Sequence, residues 1–210
     1  MTWHAIVPLK RPTGRKSRLA PVLAPRQRAA LVAEMLGRAE AALRTSGRID
    51  RRALLAALPE PGWRGDWIDD RGLPLNAALD SARAGLAGSG VLVLLADLPL
   101  VAAEDVRAII ARADRLGVAL APDRHGRGTN AIAVRADMRW RFLFGADSFA
   151  RHLRQAEENC VVARPGLAID CDDEADLRHV AALRSRAALV SGSGRDLLAQ
   201  DELLDLAGGI

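Results

Sequence analysis

The residues best suited to chemistry lie in three segments. The first reads Pro8-Leu9-Lys10-Arg11-Pro12-Thr13-Gly14-Arg15-Lys16-Ser17-Arg18-Leu19. All but two of the 30 basic residues in the chain are arginine, and both lysines, Lys10 and Lys16, stand here. Either they are charges on a solvated loop or they form a phosphate site, where a compact, mobile ammonium is well suited. The second segment, Ala96-Asp97-Leu98-Pro99, ends the most hydrophobic run, Val91 to Ala96. A carboxylate at the end of a buried strand is costly unless it is paired or binds a metal; the plainer alternative is a turn or cap residue. The third is Ile169-Asp170-Cys171-Asp172. Alternation puts Asp170 and Asp172 on one face and turns Cys171 toward the core. Asp172 directly precedes a helical stretch and suits an N-cap, so Asp170 is the better metal ligand. Two carboxylates from separate loops, with basic residues nearby, match what nucleotidyl transfer involving a triphosphate needs. Mg²⁺ is typically held by one or two carboxylates together with substrate phosphates.

Other chemistries are poorly represented. There is no GxxxxGK[ST] and no GxGxxG phosphate loop. The loop Asp123-Arg124-His125-Gly126-Arg127-Gly128-Thr129-Asn130 could wrap a phosphate or carboxylate with backbone N–H groups, or be an ordinary hairpin turn. His4, His125, His152 and His179 are scattered without metal-ligand spacing, and none is a persuasive catalytic base. Cys160 and Cys171 also lack such spacing and read as small buried hydrophobes. The net charge is +4, but the arginines are interspersed with Asp and Glu instead of forming a polybasic arm, which argues against nucleic acid.

A chain of 210 residues, half of them hydrophobic, predicts one domain with a sizeable core and excludes general disorder. No apolar run approaches the roughly 20 residues needed to cross a bilayer. The first residues do not read as a signal peptide, so a cytoplasmic location is expected. Strands are expected at 5–9, 91–96, 118–121, 131–134 and 161–164, with 52–58 either strand or helix end and 167–171 extended. Helices are expected at 26–44, 75–86, 102–115, 147–157, 173–186 and 195–206. The stretch 59–72, with two prolines, three glycines and both Trp63 and Trp67, reads as loop. Such alternation predicts an α/β domain over 1–186, with a mainly parallel sheet and helices on both faces. Residues 187–210 read as a linker and a final helix packed on the same domain. In a sheet of this kind, ligands bind beyond the carboxyl ends of the strands, where all three segments fall.

Six motifs occur in order: Pro8-x-Lys10-x5-Lys16-Ser17-Arg18-Leu19, Gly72-x-x-Leu75-Asn76-Ala77-Ala78-Leu79, Ala96-Asp97-Leu98-Pro99-Leu100, Gly126-x-Gly128-Thr129-Asn130, Phe144-Gly145-x-x-Ser148-Phe149 and Asp170-x-Asp172-x3-Asp176-Leu177. Together, over roughly residues 5 to 180, they resemble the CofC/FbiD family of guanylyltransferases in coenzyme F420 biosynthesis. The resemblance implies a nucleotide-diphospho-sugar transferase (GT-A-like) fold. It also implies transfer of GMP from GTP to 2-phospho-L-lactate, phosphoenolpyruvate or 3-phospho-D-glycerate, with release of pyrophosphate and hand-over to the downstream F420 transferase. Carried over by position, Asp97 and Asp170 would hold Mg²⁺, and Lys10, Lys16 and Arg18 would contact the triphosphate. Gly72 and Asn76 would receive the guanine nucleotide. Thr129, Gly145 and Ser148 would bind the phosphorylated acid, Ser148 from the first turn of helix 147–157, where free N–H groups would also meet the anion.

This sequence departs from the family pattern in two places. The stretch Asp50 to Gly72 leaves no room for an intervening helix, and Pro74 stands where a glycine is more usual and has no N–H to donate. The rival readings are a degenerate nucleotide-binding protein, a nucleotidyltransferase of the same fold acting on another acceptor such as molybdenum cofactor, and a metal-dependent glycosyltransferase. The last would want Asp-x-Asp after the central strand, where this chain has Asp97-Leu98-Pro99. A monomer or a homodimer is compatible with the pattern.

Overall fold

The computed structural model describes residues 1–11, 16–156 and 158–191. Six strands form one sheet: β1 (Trp3–Pro8), β2 (Arg51–Ala56), β3 (Asp66–Asp69), β4 (Gly90–Leu94), β5 (Val118–Pro122) and β6 (Thr129–Val134). Their order is β3-β2-β1-β4-β6-β5. All neighbours are parallel except β6, which runs antiparallel to both β4 and β5. The helices are α1 (Pro25–Thr45), α2 (Leu75–Ala84), α3 (Ala103–Leu116), α4 (Ser148–Leu153), α5 (Pro165–Ala168) and α6 (Glu174–Ser191).

Strand periodicity divides the core in two. Ala5, Val7, Leu92, Leu94, Ala131 and Ala133 face one side, where they pack with Val32, Leu36 and Leu43 of α1 and Val106, Ile109 and Ile110 of α3. Ile6, Val91, Val93, Ile132 and Val134 face the other side, against Leu79 of α2 and the aromatic segment Trp140, Phe142 and Phe144. Every residue of β4 and β6 is buried, as a central strand covered on both faces requires. A third, smaller cluster of Leu19, Leu23, Leu31, Met35, Cys171 and Leu177 ties the end of the basic loop to α1 and the start of α6. Leu19, in a single 3-10 turn from Ser17 to Leu19, is fully buried there, which is worth roughly 2 kcal/mol. That anchor fixes the chain immediately after Lys16.

Several local expectations are corrected. The loop expected over 59–72 contains strand β3, which pairs in parallel with β2 from Ala53↔Asp66 to Ala56↔Asp69. Turn-forming residues on both sides mask a strand of only four residues, and the connection from β2 carries no helix, as the short spacing required. The helix expected over 147–157 stops at Leu153. No strand forms at 161–164; Val161 makes a single parallel bridge to Leu120. The extended stretch expected at 167–171 begins inside α5, where Pro165 opens a helical turn. Helix α6 runs on to Ser191, into the stretch read as a linker. The helix expected at 195–206 lies outside the described residues.

Candidate active site

The carboxyl ends of β1, β2 and β4 open into a cavity of about 650 Å³, within the range of small-ligand sites. Lys10, Lys16, Gly72, Asp97, Thr129, Gly145, Ser148 and Asp170 line it, as does Asp172. Arg18 is exposed outside that lining. Asn76 is also outside it.

The centre of the site is a buried lysine between carboxylates. Lys16 takes a left-handed backbone conformation (φ 51°), which swings its side chain inward from the loop. Its Nζ donates to Asp97 Oδ2 at 3.1 Å and to Asp172 Oδ1 at 2.9 Å, and the side chain is only 7% exposed. Burial pushes the ammonium's pKa down, but Asp97 and Asp172 more than offset this and raise it. Burial likewise pushes Asp172 up, and Lys16, helped by Lys10 and Arg18, holds it below the usual carboxylate range. The exposed Arg18 therefore acts on the site through its field. Asp170 has no such partner. Burial first, and the Asp97 charge second, push its carboxyl up to about 6. The backbone holds the aspartates together, since Cys171 N donates to the carbonyl of Asp97 at 3.1 Å.

Asp172 is not the cap of α6. Asp173 Oδ1 accepts from Asp176 N at 3.0 Å, and Asp176 Oδ2 accepts from Asp173 N at 3.0 Å and from Asp172 N at 2.8 Å. This reciprocal pair is a capping box built from two aspartates. It releases the Asp172 carboxylate to the site.

A divalent cation fits this donor set. Asp97 Oδ1 is buried and accepts no hydrogen bond, an expensive state for a carboxylate oxygen unless a cation completes it. Asp170 lies within reach of the Asp97 charge, and hard carboxylate oxygens suit Mg²⁺ when substrate phosphates supply the remaining ligands. Among the described residues, no group of three Asp, Glu, His or Cys side chains makes a complete metal cage by itself.

The remaining walls come from loops that sequence reading resolved unevenly. Arg71 and Gly72 both have positive φ (53° and 67°), and Leu73 N donates to the carbonyl of Asp70 at 2.9 Å, closing a tight turn. Asp70 Oδ1 accepts from Gly72 N at 2.8 Å. A Cβ on Gly72 would come within 3.4 Å of Arg11 Nη2, so the turn and the basic loop approach closely there. Asp70 and Arg11 line the cavity and were not singled out in the sequence. Recognition of β3 would have found Asp70, because it places that carboxylate just past a strand's carboxyl end.

The hairpin loop before β6 does not offer its amides to a ligand. Asp123 Oδ1 accepts from His125 N and Arg127 N, its Oδ2 accepts from Gly128 N, and its carbonyl accepts from Gly126 N. The plainer alternative, an ordinary turn, is correct for this backbone; Thr129 remains as the loop's contribution. The α4 start is similar. Ser148 N donates to Gly145 O and Phe149 N to Arg127 O, so the expected anion site at those N–H groups is already satisfied from within. Asn76 acts as a brace: its Oδ1 accepts from Phe144 N at 2.7 Å and its Nδ2 donates to Phe144 O at 3.1 Å. It thereby fixes the segment carrying Gly145.

Two titratable groups lie beside the site without serving as its acid or base. Burial pushes the Cys171 thiol up to about 12. With Cys160 buried as well, the folded protein is expected to leave thiol reagents such as a disulfide chromophore unreacted at pH 8. Absorbance should rise only on unfolding. His152 is pushed down to about 4, by burial first and by the Arg151 charge second. Its folded pKa lies below the ordinary value, so the unfolded chain binds the extra proton between about pH 6.5 and 4. Stability from this group is therefore complete above about 6.5 and is lost as pH falls toward 4, by up to about 3 kcal/mol. Denaturant unfolding at stepped pH should show that slope in the wild type and a shallower one in a folded His152→Gln variant.

No helix among the described residues is long and apolar enough to cross a membrane. The likeness to known proteins agrees with the geometry. The crystal structure of a protein assigned as a nucleotide-diphospho-sugar transferase from Desulfovibrio desulfuricans G20 superposes with a TM-score of 0.70 at 18% identity, covering 98% of each chain. That likeness establishes the GT-A-like fold. The phosphoenolpyruvate guanylyltransferase of Sphaerobacter thermophilus is 39% identical over 193 residues, covering 86% of this chain and 93% of the relative. The 2-phospho-L-lactate guanylyltransferase of Methanothrix thermoacetophila is 36% identical over 194 residues, covering 84% and 82%. The family model described as guanylyl transferase CofC like matches residues 3–186, which includes every strand and all the aspartates of the site. The chain therefore belongs to the CofC-like guanylyl transferase family.

Proposed function

We propose that this guanylyltransferase moves GMP from GTP to phosphoenolpyruvate and releases pyrophosphate, as a step in coenzyme F420 biosynthesis. The observation that carries the reading is Lys16, held by Asp97 and Asp172 in a cavity that Thr129, Gly145 and Ser148 also line. The ammonium group suits a polyphosphate, and Thr129, Gly145 and Ser148 suit a small anionic acid. Phosphoenolpyruvate is favoured over the other two acids because several similar relatives, the Sphaerobacter and Chloroflexus proteins among them, are phosphoenolpyruvate guanylyltransferases.

The reaction needs positioning more than acid–base catalysis. The acceptor phosphate is already an anion at neutral pH, and no histidine lines the cavity. A phosphate oxygen of the acid attacks the α-phosphorus of GTP. The new P–O bond forms as the bond to the β-phosphate breaks in line, and pyrophosphate leaves with that electron pair. Lys10, Lys16 and Arg11 meet the triphosphate charge, and Thr129, Gly145 and Ser148 hold the acid. The family's chemistry depends on a divalent cation; Asp97 and Asp170 would hold it as Mg²⁺, which when bound neutralises charge on the reacting phosphates. Gly72, in its left-handed turn beside Arg11, belongs to the nucleotide side.

The test is pyrophosphate release with GTP and Mg²⁺ against phosphoenolpyruvate, 2-phospho-L-lactate and 3-phospho-D-glycerate separately, with the downstream transferase and its deazaflavin acceptor in a parallel set. Release with phosphoenolpyruvate in preference to the others is expected. Preference for another acid would overturn the acceptor, and no release with any of the three would overturn the reaction.

A further inference from the structure

A fully buried histidine stands behind the wall of the acid site, and its two ring nitrogens have different partners. Nδ1 of His152 lies 2.9 Å from Thr129 Oγ1. Leu143 N donates to Nε2 at 2.8 Å. A backbone N–H has only a proton to give, so Nε2 must be the acceptor. The neutral ring then carries its proton on Nδ1. Thr129 Oγ1 must accept that proton, and its own hydroxyl hydrogen is left to donate elsewhere. Thr129 lines the cavity, so the cavity is where an acceptor is available.

The surroundings hold the ring in this role. Trp140 stacks on it at 5.9 Å between centroids, and Phe144 meets it edge-on at 5.1 Å. These rings exclude water, which would otherwise compete for both nitrogens, and the buried site keeps the imidazole neutral. Through Nε2 the same ring pins Leu143. Asn76 pins Phe144, and Gly145 follows directly.

We infer that His152 is a positioning residue for the acid acceptor: as the Nδ1–H tautomer it turns the Thr129 hydroxyl into a hydrogen-bond donor aimed at the substrate and fixes the 143–145 wall beside it. The inference rests on the assignment of Thr129 to the acid side of the site. A donor hydroxyl suits the carboxylate or phosphate of the acid, since both only accept. His152 does not touch substrate and is not a catalytic residue.

Two measurements test it. In the wild-type protein at pH 7.5, long-range ¹H–¹⁵N spectra should show His152 with Nδ1 protonated and Nε2 bare. An Nε2–H tautomer or a doubly protonated ring would overturn the inference without any variant being made. His152→Gln then keeps an acceptor for Leu143 N while withdrawing the proton from Thr129. It is expected to raise KM for the acid about tenfold while KM for GTP stays within about twofold, the size of effect that one neutral hydrogen bond supports. Thr129→Val should cost a similar factor, and adding His152→Gln to Thr129→Val should cost less than about twofold more. Equal losses toward GTP and acid, or fully multiplicative losses in the double variant, would reduce His152 to a packing residue. If His152→Gln does not fold, the tautomer measurement alone decides. Wild-type enzyme inactive with every acid would fail the proposed reaction instead, and the tautomer result would still stand or fall by itself.

Discussion

Asp97→Asn is expected to lower kcat for guanylyl transfer by about 10³-fold, on the order of 4 kcal/mol of transition-state stabilisation. The folded protein should change little. The substitution keeps an oxygen for Lys16 at the position of Oδ2, removes one of the charges crowding Asp170, and leaves the Cys171 N contact with the backbone carbonyl untouched. The midpoint of thermal unfolding should therefore stay within about 4 °C of wild type, equivalent to roughly 1 kcal/mol in a chain of this size. Pyrophosphate release and a thermal scan on the same preparation check both halves. A variant that turns over normally removes Asp97 from the reacting centre; one that is inactive because it is unfolded makes Asp97 a structural residue.

Lys16→Met separates into two effects. The side chain is nearly buried, and its removal leaves Asp97 and Asp172 facing Asp170 without a counter-charge. Because Asp97 and Asp172 are themselves partly exposed, breaking the pair costs less than the roughly 3–5 kcal/mol of a fully buried one at neutral pH. The sign of its pH dependence follows from the groups involved. Lys16 is what holds Asp172 below its ordinary value. Without it, burial is left to push the folded Asp172 carboxyl up, as it does Asp170, so the folded state binds more protons and stability falls as pH rises through that range. The deficit relative to wild type should therefore be largest at pH 7 and shrink toward pH 5. Turnover should fall by about 10²–10³-fold, with KM for GTP affected more than KM for the acid. Unfolding in denaturant at both pH values gives the first result and steady-state kinetics the second. Equal stability of the two proteins at pH 7 would mean that the pair with Asp97 and Asp172 is not formed in solution.

The parts of the site legible in the sequence were those carried by residue type and strand ends. Lysines in an arginine-rich chain, an aspartate closing a hydrophobic run and an Asp-x-Asp alternation point to Lys16, Asp97 and Asp170 from residue type and spacing alone. What sequence could not show was who partners whom. Asp172 reads as a cap because it precedes a helix, yet Asp173 makes the cap one residue later, a boundary shift within the ordinary uncertainty of helix ends. Asn76 sits in a nucleotide motif, but its amide is spent on Phe144, 68 residues away. The role of Asp123 was invisible for the opposite reason. Its contacts are all local, and a glycine-bearing loop whose amides are free looks the same in sequence as one whose amides are taken. Strand β3 was hidden because its side chains face solvent or are only half-buried, so it carries no hydrophobic pattern to recognise.

That same strand bears on how the protein behaves at high concentration. An edge strand exposes unpaired amide and carbonyl groups that can template aggregation with another chain. Here the edge is four residues long, begins and ends in aspartate, and is followed by Asp70 and a turn with two left-handed residues. At the far side of the sheet, β5 ends in a proline, and its outer face is partly taken by the bridge from Leu120 to Val161. Neither border offers a long, flat, apolar template, so a chain in which half of the residues are hydrophobic is protected against edge-to-edge association by charge, brevity and a single inserted bridge.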